Sequence, residues 1–122
     1  MARSIAALLR RRTINWSRRA RRAPSARFTR IRILNARSDL PSELDPKCVY
    51  QIGKPGKWAI LECPCGRGHQ LELNLVHPGR ARWRLSSSRP NKTKAPTLRP
   101  SVDYLGAKRC HFWLREGRVT WV

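Results

Sequence analysis

The stretch Cys63-Pro64-Cys65-Gly66-Arg67-Gly68-His69 gathers three metal-binding side chains into one short turn. Thiolate and imidazole are the preferred ligands of zinc, and a turn rich in Gly and Pro lets several donors converge without Cβ clashes. A further pair, Cys110-His111, lies far downstream. A metal joining the two stretches would tie together most of the second half of the chain. The alternative is two reduced cysteines in a hairpin turn, because C-x-C is a less specific spacing than paired C-x-x-C knuckles. The candidate ligands are Cys63, Cys65, His69, Cys110 and His111, and the expected metal is zinc.

Strands must position these groups. In 57–63, Trp58, Ile60 and Glu62 fall on one face and Ala59, Leu61 and Cys63 on the other. In 69–75, His69, Leu71, Leu73 and Leu75 alternate with Gln70, Glu72 and Asn74, so Cys63 to His69 reads as a hairpin connection. In 109–115, Cys110, Phe112 and Leu114 face one way and His111, Trp113 and Arg115 the other. Adjacent residues of a regular strand cannot both aim at one metal, so at most one of Cys110 and His111 is a ligand unless a bulge intervenes. Further strands are expected at 28–34, 48–52, 80–85, 97–102 and 118–122. Turns are expected at Gly53-Lys54-Pro55-Gly56, His77-Pro78-Gly79 and Glu116-Gly117, and loops at 35–47 and 86–96. Pro100 argues for an edge position or a strand end. Cys48 reads as core and His77 as a surface turn residue. The fold class is mainly β: one small domain of short antiparallel strands with a metal-binding turn.

The 122 residues carry a formal net charge of +20, unevenly spread. Residues 1–37 hold twelve Arg and no acid, whereas the rest holds fifteen Lys plus Arg against seven acids. The chain therefore divides into a basic arm, 1–27, helical near its start or disordered, and a β domain, 28–122. The arm reads first as a solvated tail. Its arginines Arg10, Arg11, Arg12, Arg18, Arg19, Arg21 and Arg22 are also candidate nonspecific nucleic-acid contacts, acting by counterion release. An Arg-rich, acid-free start also has the character of a mitochondrial presequence. No apolar run is long enough for a secretory signal or a membrane span, which points to reduced thiols and a cytoplasmic setting.

The run 58–69, then Leu73-Asn74-Leu75, Trp83, Thr97-Leu98-Arg99-Pro100-Ser101-Val102, His111-Phe112-Trp113, Gly117 and Trp121 resembles a family of small bacterial proteins, domain of unknown function 6527. The resemblance covers roughly 45–122 and departs from the family pattern at Arg67, where a further Cys is usual, and at Cys110, which stands immediately before His111. It implies a peptidase encoded beside ubiquitin-like conjugation genes in anti-phage operons. The implied substrate is the C-terminal tail of a ubiquitin-like protein, as a precursor or a conjugate.

Two thiolates and one imidazole would leave a fourth zinc position for a water, whose pKa the metal lowers. Glu62, beside the ligand turn, is the first candidate to take its proton, with Glu72 and Asp103 as alternatives. Ser101 is expected to assist by donating a hydrogen bond to the oxyanion or to a ligand. A structural zinc module binding nucleic acid through the arm, and a small scaffold with a closed metal site, are the competing readings.

Overall fold

The computed structural model describes residues 27–89, 93–106 and 109–122. The expected arm, with Arg10, Arg11, Arg12, Arg18, Arg19, Arg21 and Arg22, lies outside the described residues up to Arg27. The protein is mainly β. Strands β1 (Arg30–Leu34), β2 (Cys48–Ile52), β3 (Trp58–Glu62) and β4 (Gln70–Asn74) form one sheet in that order. Strands β5 (Arg84–Arg89), β6 (Thr93–Leu105), β7 (Arg109–Arg115) and β8 (Arg118–Trp121) form a second, also in chain order. Among the described residues no helix is long and apolar enough to cross a membrane.

Alternation decides which faces meet. Ala59, Leu61 and Cys63 from β3 and its end, with Leu71 and Leu73 from β4, are buried against Leu98, Val102, Cys110, Phe112 and Leu114 of the second sheet. This cluster joins the two sheets face to face, as period-2 strands with one apolar face require. The first sheet also buries its outer face. Cys48, Tyr50, Ile52 and Ile60 form a second cluster there, covered by Leu40 and Leu44 of the 35–47 connection and by Leu34 and Trp58. Burial on both faces explains why β2 reads as a nearly continuous apolar run.

Three features depart from the sequence reading. First, β1 and β2 pair in parallel, Arg30 opposite Cys48 through Leu34 opposite Ile52; the 35–47 connection is long enough to return the chain to the same end of the sheet. Second, residues 86–89 and 93–96 of the expected loop belong to strands β5 and β6, held by backbone pairing from Arg84 opposite Arg99 to Arg89 opposite Thr93. The strand expected at 80–85 begins only at Arg84. Third, Pro100 lies inside β6, which has neighbours on both sides. It is tolerated there because the β6–β7 register shifts between Leu98 and Val102, and no ladder bond is required of it at a bulge.

The β7–β8 hairpin closes through Glu116 and Gly117, both at positive φ (49° and 77°), the pattern of a two-residue I′ turn. Gly117 also accepts hydrogen bonds from the Arg27 and Phe28 N–H groups (2.8 and 2.9 Å) and donates to the Pro96 carbonyl. A Cβ there would collide with the Phe28 carbonyl oxygen. Gly117→Ala should therefore destabilise the domain by more than about 1 kcal/mol, a drop of roughly 4–8 °C or more in a thermal melt.

Candidate active site and metal centre

The β3–β4 hairpin builds the first site. Cys63 N–H donates to the His69 carbonyl at 2.9 Å, extending the ladder that ends with Glu62 opposite Gln70. The loop between them turns through Gly66 and Gly68, both left-handed (φ 80° and 82°). Such backbone folds Cys65 and His69 back toward Cys63. From the other sheet, Cys110 of β7 points into the same space. The ligand atoms of Cys63, Cys65, His69 and Cys110 all lie within 4.8 Å of one another. Cys63 and Cys110 are buried, Cys65 and His69 partly so. His69 stacks on Tyr104 of β6, with ring centroids 4.6 Å apart.

The donor set fits a metal. Three thiols and one imidazole make a Cys₃His group, a closed tetrahedral set typical of structural zinc. Burial, first of all, pushes the Cys63 thiol up to about 12, so without a cation it stays protonated. Burial also pushes Cys65 up, but hydrogen bonds from the Arg67 backbone and from the neighbouring thiols outweigh it and hold this thiol below its ordinary value. One thiol poised to ionise beside one that resists suits a cluster completed by positive charge.

His111 is not part of this cluster. It lies next to Cys110 on a regular strand, so it projects from the opposite face of the sheet. There its Nε2 lies 2.9 Å from Ser101 Oγ of β6. In the β6–β7 ladder Asp103 is opposite His111 and Val102 opposite Phe112, so Ser101 reaches His111 on the diagonal. Ser101 lies within the irregular stretch between Leu98 and Val102, where the β6–β7 register shifts. The Trp83 indole N–H fixes this segment further by donating to the Ser101 carbonyl at 3.2 Å. Asp103 receives two hydrogen bonds from Arg109, Nε to Oδ1 at 2.9 Å and Nη2 to Oδ2 at 2.8 Å. Those bonds, first, hold its carboxyl below the usual range. Ser101, Asp103, His111 and Trp113 share the outer face, while Val102, Cys110 and Phe112 face the core.

Glu62 is elsewhere. It shares the face of Trp58 and Ile60, turned away from the core that holds Cys63, and lines a hollow with Ser42, Glu43, Gln70 and the cluster residue His69. No hydrogen bond joins it to Ser101 or His111 among the described residues. Glu72 pairs with Arg37 at 2.6 Å. Two residues, Asn74 and Trp83, gain roles that the sequence did not suggest. Asn74, read as an outward polar residue of its strand, is buried; its amide donates to the His77 and Ala81 carbonyls and accepts from the Val76 and His77 N–H groups. Its own carbonyl accepts from Trp83 N–H at 2.9 Å, so it shapes the loop that delivers Trp83 to Ser101. The available signal was an Asn just before a His-Pro-Gly turn, a residue that caps its own backbone.

A family model described as bacterial ubiquitination-like system serine protease (BubE) matches residues 36–122. No curated protein and no solved structure matches the chain.

Proposed function

The chain belongs to the bacterial ubiquitination-like system serine protease (BubE) family, and from that premise we propose that it is a serine peptidase in which Ser101 is the nucleophile and His111 its general base. The contact of 2.9 Å between Ser101 Oγ and His111 Nε2 carries this reading. In it, His111 Nε2 takes the Ser101 proton as Oγ attacks the scissile carbonyl, then gives that proton to the departing amine. Water, activated by the same imidazole, releases the acyl group and restores Ser101. Asp103, kept ionised by Arg109 and opposite His111 in the ladder, supplies negative charge beside the imidazolium formed in each half-reaction. Its oxygens are occupied by Arg109, so the unit is a Ser–His dyad with a nearby carboxylate.

Cys63, Cys65, His69 and Cys110 would hold zinc, and its contribution would be to cross-link the β3–β4 turn to β7 behind His111. The substrate is the C-terminal tail of a ubiquitin-like protein, as a precursor or a conjugate, which the family's place in ubiquitination-like systems supports. The test is labelling with a fluorophosphonate, which reacts with activated serine hydroxyls. Peptide mass mapping should find the adduct on Ser101, and His111→Ala should prevent it. An adduct on another serine, or none on active protein, would refute the assignment.

Trp83→Phe keeps an aromatic side chain but removes the indole N–H that donates to the Ser101 carbonyl, together with part of the ring's packing on the core. It should cost about 0.5–3 kcal/mol of stability. It should lower kcat by about 10-fold to 100-fold with KM little changed, because small misplacements of a nucleophile are costly. Steady-state kinetics beside a thermal melt would check both halves.

A further inference from the structure

A groove of about 1020 Å³ has a wall that includes Arg82, Trp83, Arg84, Arg99, Trp113 and Arg115 and reaches Pro100, the residue before Ser101. Four guanidiniums around one groove demand an explanation. All four are exposed. Among the described residues the ion pairs join Arg30 to Asp45, Arg37 to Glu72 and Arg109 to Asp103, so no carboxylate neutralises the groove. Arg84 and Arg99 are direct partners across the β5–β6 ladder. Like charges directly opposite on neighbouring strands repel and destabilise the sheet. Arg115 lies over the Trp113 ring at 4.5 Å, which holds its guanidinium against an aromatic face at the groove. The fold thus keeps an unneutralised cationic cluster where local pairing would favour mixed charge.

We propose that this groove is the specificity subsite of the peptidase, and that it takes an acidic stretch of the substrate polypeptide next to the bond cleaved. The proposal rests on the Ser101–His111 reading for its position relative to the chemistry. His111, Trp113 and Arg115 follow one another along one face of β7. Successive same-face positions of a strand are about 7 Å apart, so Trp113 and Arg115 lie about 7 and 13 Å along β7 from His111. An extended substrate reaching from Ser101 along this face would set residues two to four positions from the scissile bond among the arginines. Arg99 leads into Ser101 through Pro100, and the Trp83 indole N–H donates to the Ser101 carbonyl, so residues of the groove wall adjoin the dyad. Carboxylates match guanidinium forks in geometry as well as charge. Interleaved Trp and Arg would also suit a single strand of nucleic acid. Adjacency to the peptidase centre favours the polypeptide.

The test measures binding of fluorescein-labelled hexaglutamate, hexaglutamine and hexathymidylate to the full chain by anisotropy, at about 0.1 M salt where the Debye length is about 10 Å. Hexaglutamate should bind at least about tenfold tighter than hexaglutamine, the worth of one hydrogen bond to a charged group. Arg84→Glu/Arg99→Glu should erase that difference. Arg11→Glu/Arg12→Glu, an equal change of charge in the arm, should retain it. Should the reversed pair fail to fold, Arg84→Gln/Arg99→Gln reads the same loss without reversing charge. The single variant Arg84→Glu should melt higher than the parent, because it turns a repelling cross-strand pair into an attracting one. Equal losses from the groove and arm variants would overturn the proposal. So would hexathymidylate binding more tightly than hexaglutamate and being lost with the groove, which would make the ligand a nucleic acid. Cleavage by Ser101→Ala would remove the dyad and not the groove; an inert Ser101→Ala with no preference for hexaglutamate would remove the groove alone.

Discussion

Ser101→Ala and His111→Ala are each expected to lower kcat/KM for a ubiquitin-like precursor by at least about 10⁴-fold, the scale seen when a nucleophile or its base is removed from a serine hydrolase. The double variant should be little worse than either single one, because the two groups act in one proton transfer and their losses do not add. Neither change should unfold the protein. Both side chains are only partly buried and lie on the outer face, away from the Leu98, Val102 and Phe112 cluster. Thermal midpoints within a few degrees of the parent would confirm that chemistry, not folding, was lost. The measurement is the mass of the precursor and its shortened product over time. More than a tenth of the parent activity in Ser101→Ala would exclude it as nucleophile. Additive losses in the double variant would mean that the residues act in separate steps.

The sequence reading named Ser101 and His111 but gave them separate roles, one assisting and one as a candidate metal ligand. The alternation in 109–115 is visible in the chain, and it separates Cys110 from His111. It does not say which face meets the thiol turn. That depends on two sheets stacking, an arrangement between residues distant in sequence: β3 and β7 are not neighbours in one sheet but meet across the core. With a turn already holding two thiols and a His, the sequence drew His111 toward the metal, whereas packing sends Cys110 there. Local features were easier. Strands Cys48–Ile52 and Arg109–Arg115 are bounded by turn residues and carry apolar side chains in period. The Cys63-to-His69 hairpin follows from Gly, Pro and alternation in one short segment. The β5–β6 hairpin was hidden because Ser, Arg, Lys and Asn dominate 86–94, and backbone pairing does not need apolar side chains. Pro100 misled for a related reason, since the bulge that tolerates it has no composition of its own. The parallel β1–β2 pair depends on where the long 35–47 connection lays Leu40 and Leu44, again a tertiary choice.

Removing the metal should separate structure from chemistry in a way that a catalytic zinc would not allow. We expect about one zinc per purified chain, bound by the Cys₃His set. A ligand at a thousand times its dissociation constant stabilises the state that binds it by about 4 kcal/mol. For a domain of this size, chelation should then lower the thermal midpoint by roughly 15–30 °C. Cys63→Ser and Cys110→Ser should cost the most, because both thiols are buried, at 0% and 4% exposure, and each joins a different sheet to the site. His69→Ala should cost less, since His69 is only partly buried and the three thiols remain. Acidification should release the metal, because thiolates and imidazole must be deprotonated to bind it. Activity is the decisive readout. Below the midpoint of the chelated protein, folded molecules should keep most of their kcat, because four protein ligands leave no open coordination position for a reacting water. Any loss should track the unfolded fraction measured in the same sample, and zinc should restore both together. Cys110 and His111 are adjacent on β7, so fraying that begins at the ligand reaches the base next, and the two losses share one cause. A stripped but fully folded protein without activity, rescued by zinc alone, would instead put the metal in the reaction and move Ser101 back to a supporting role.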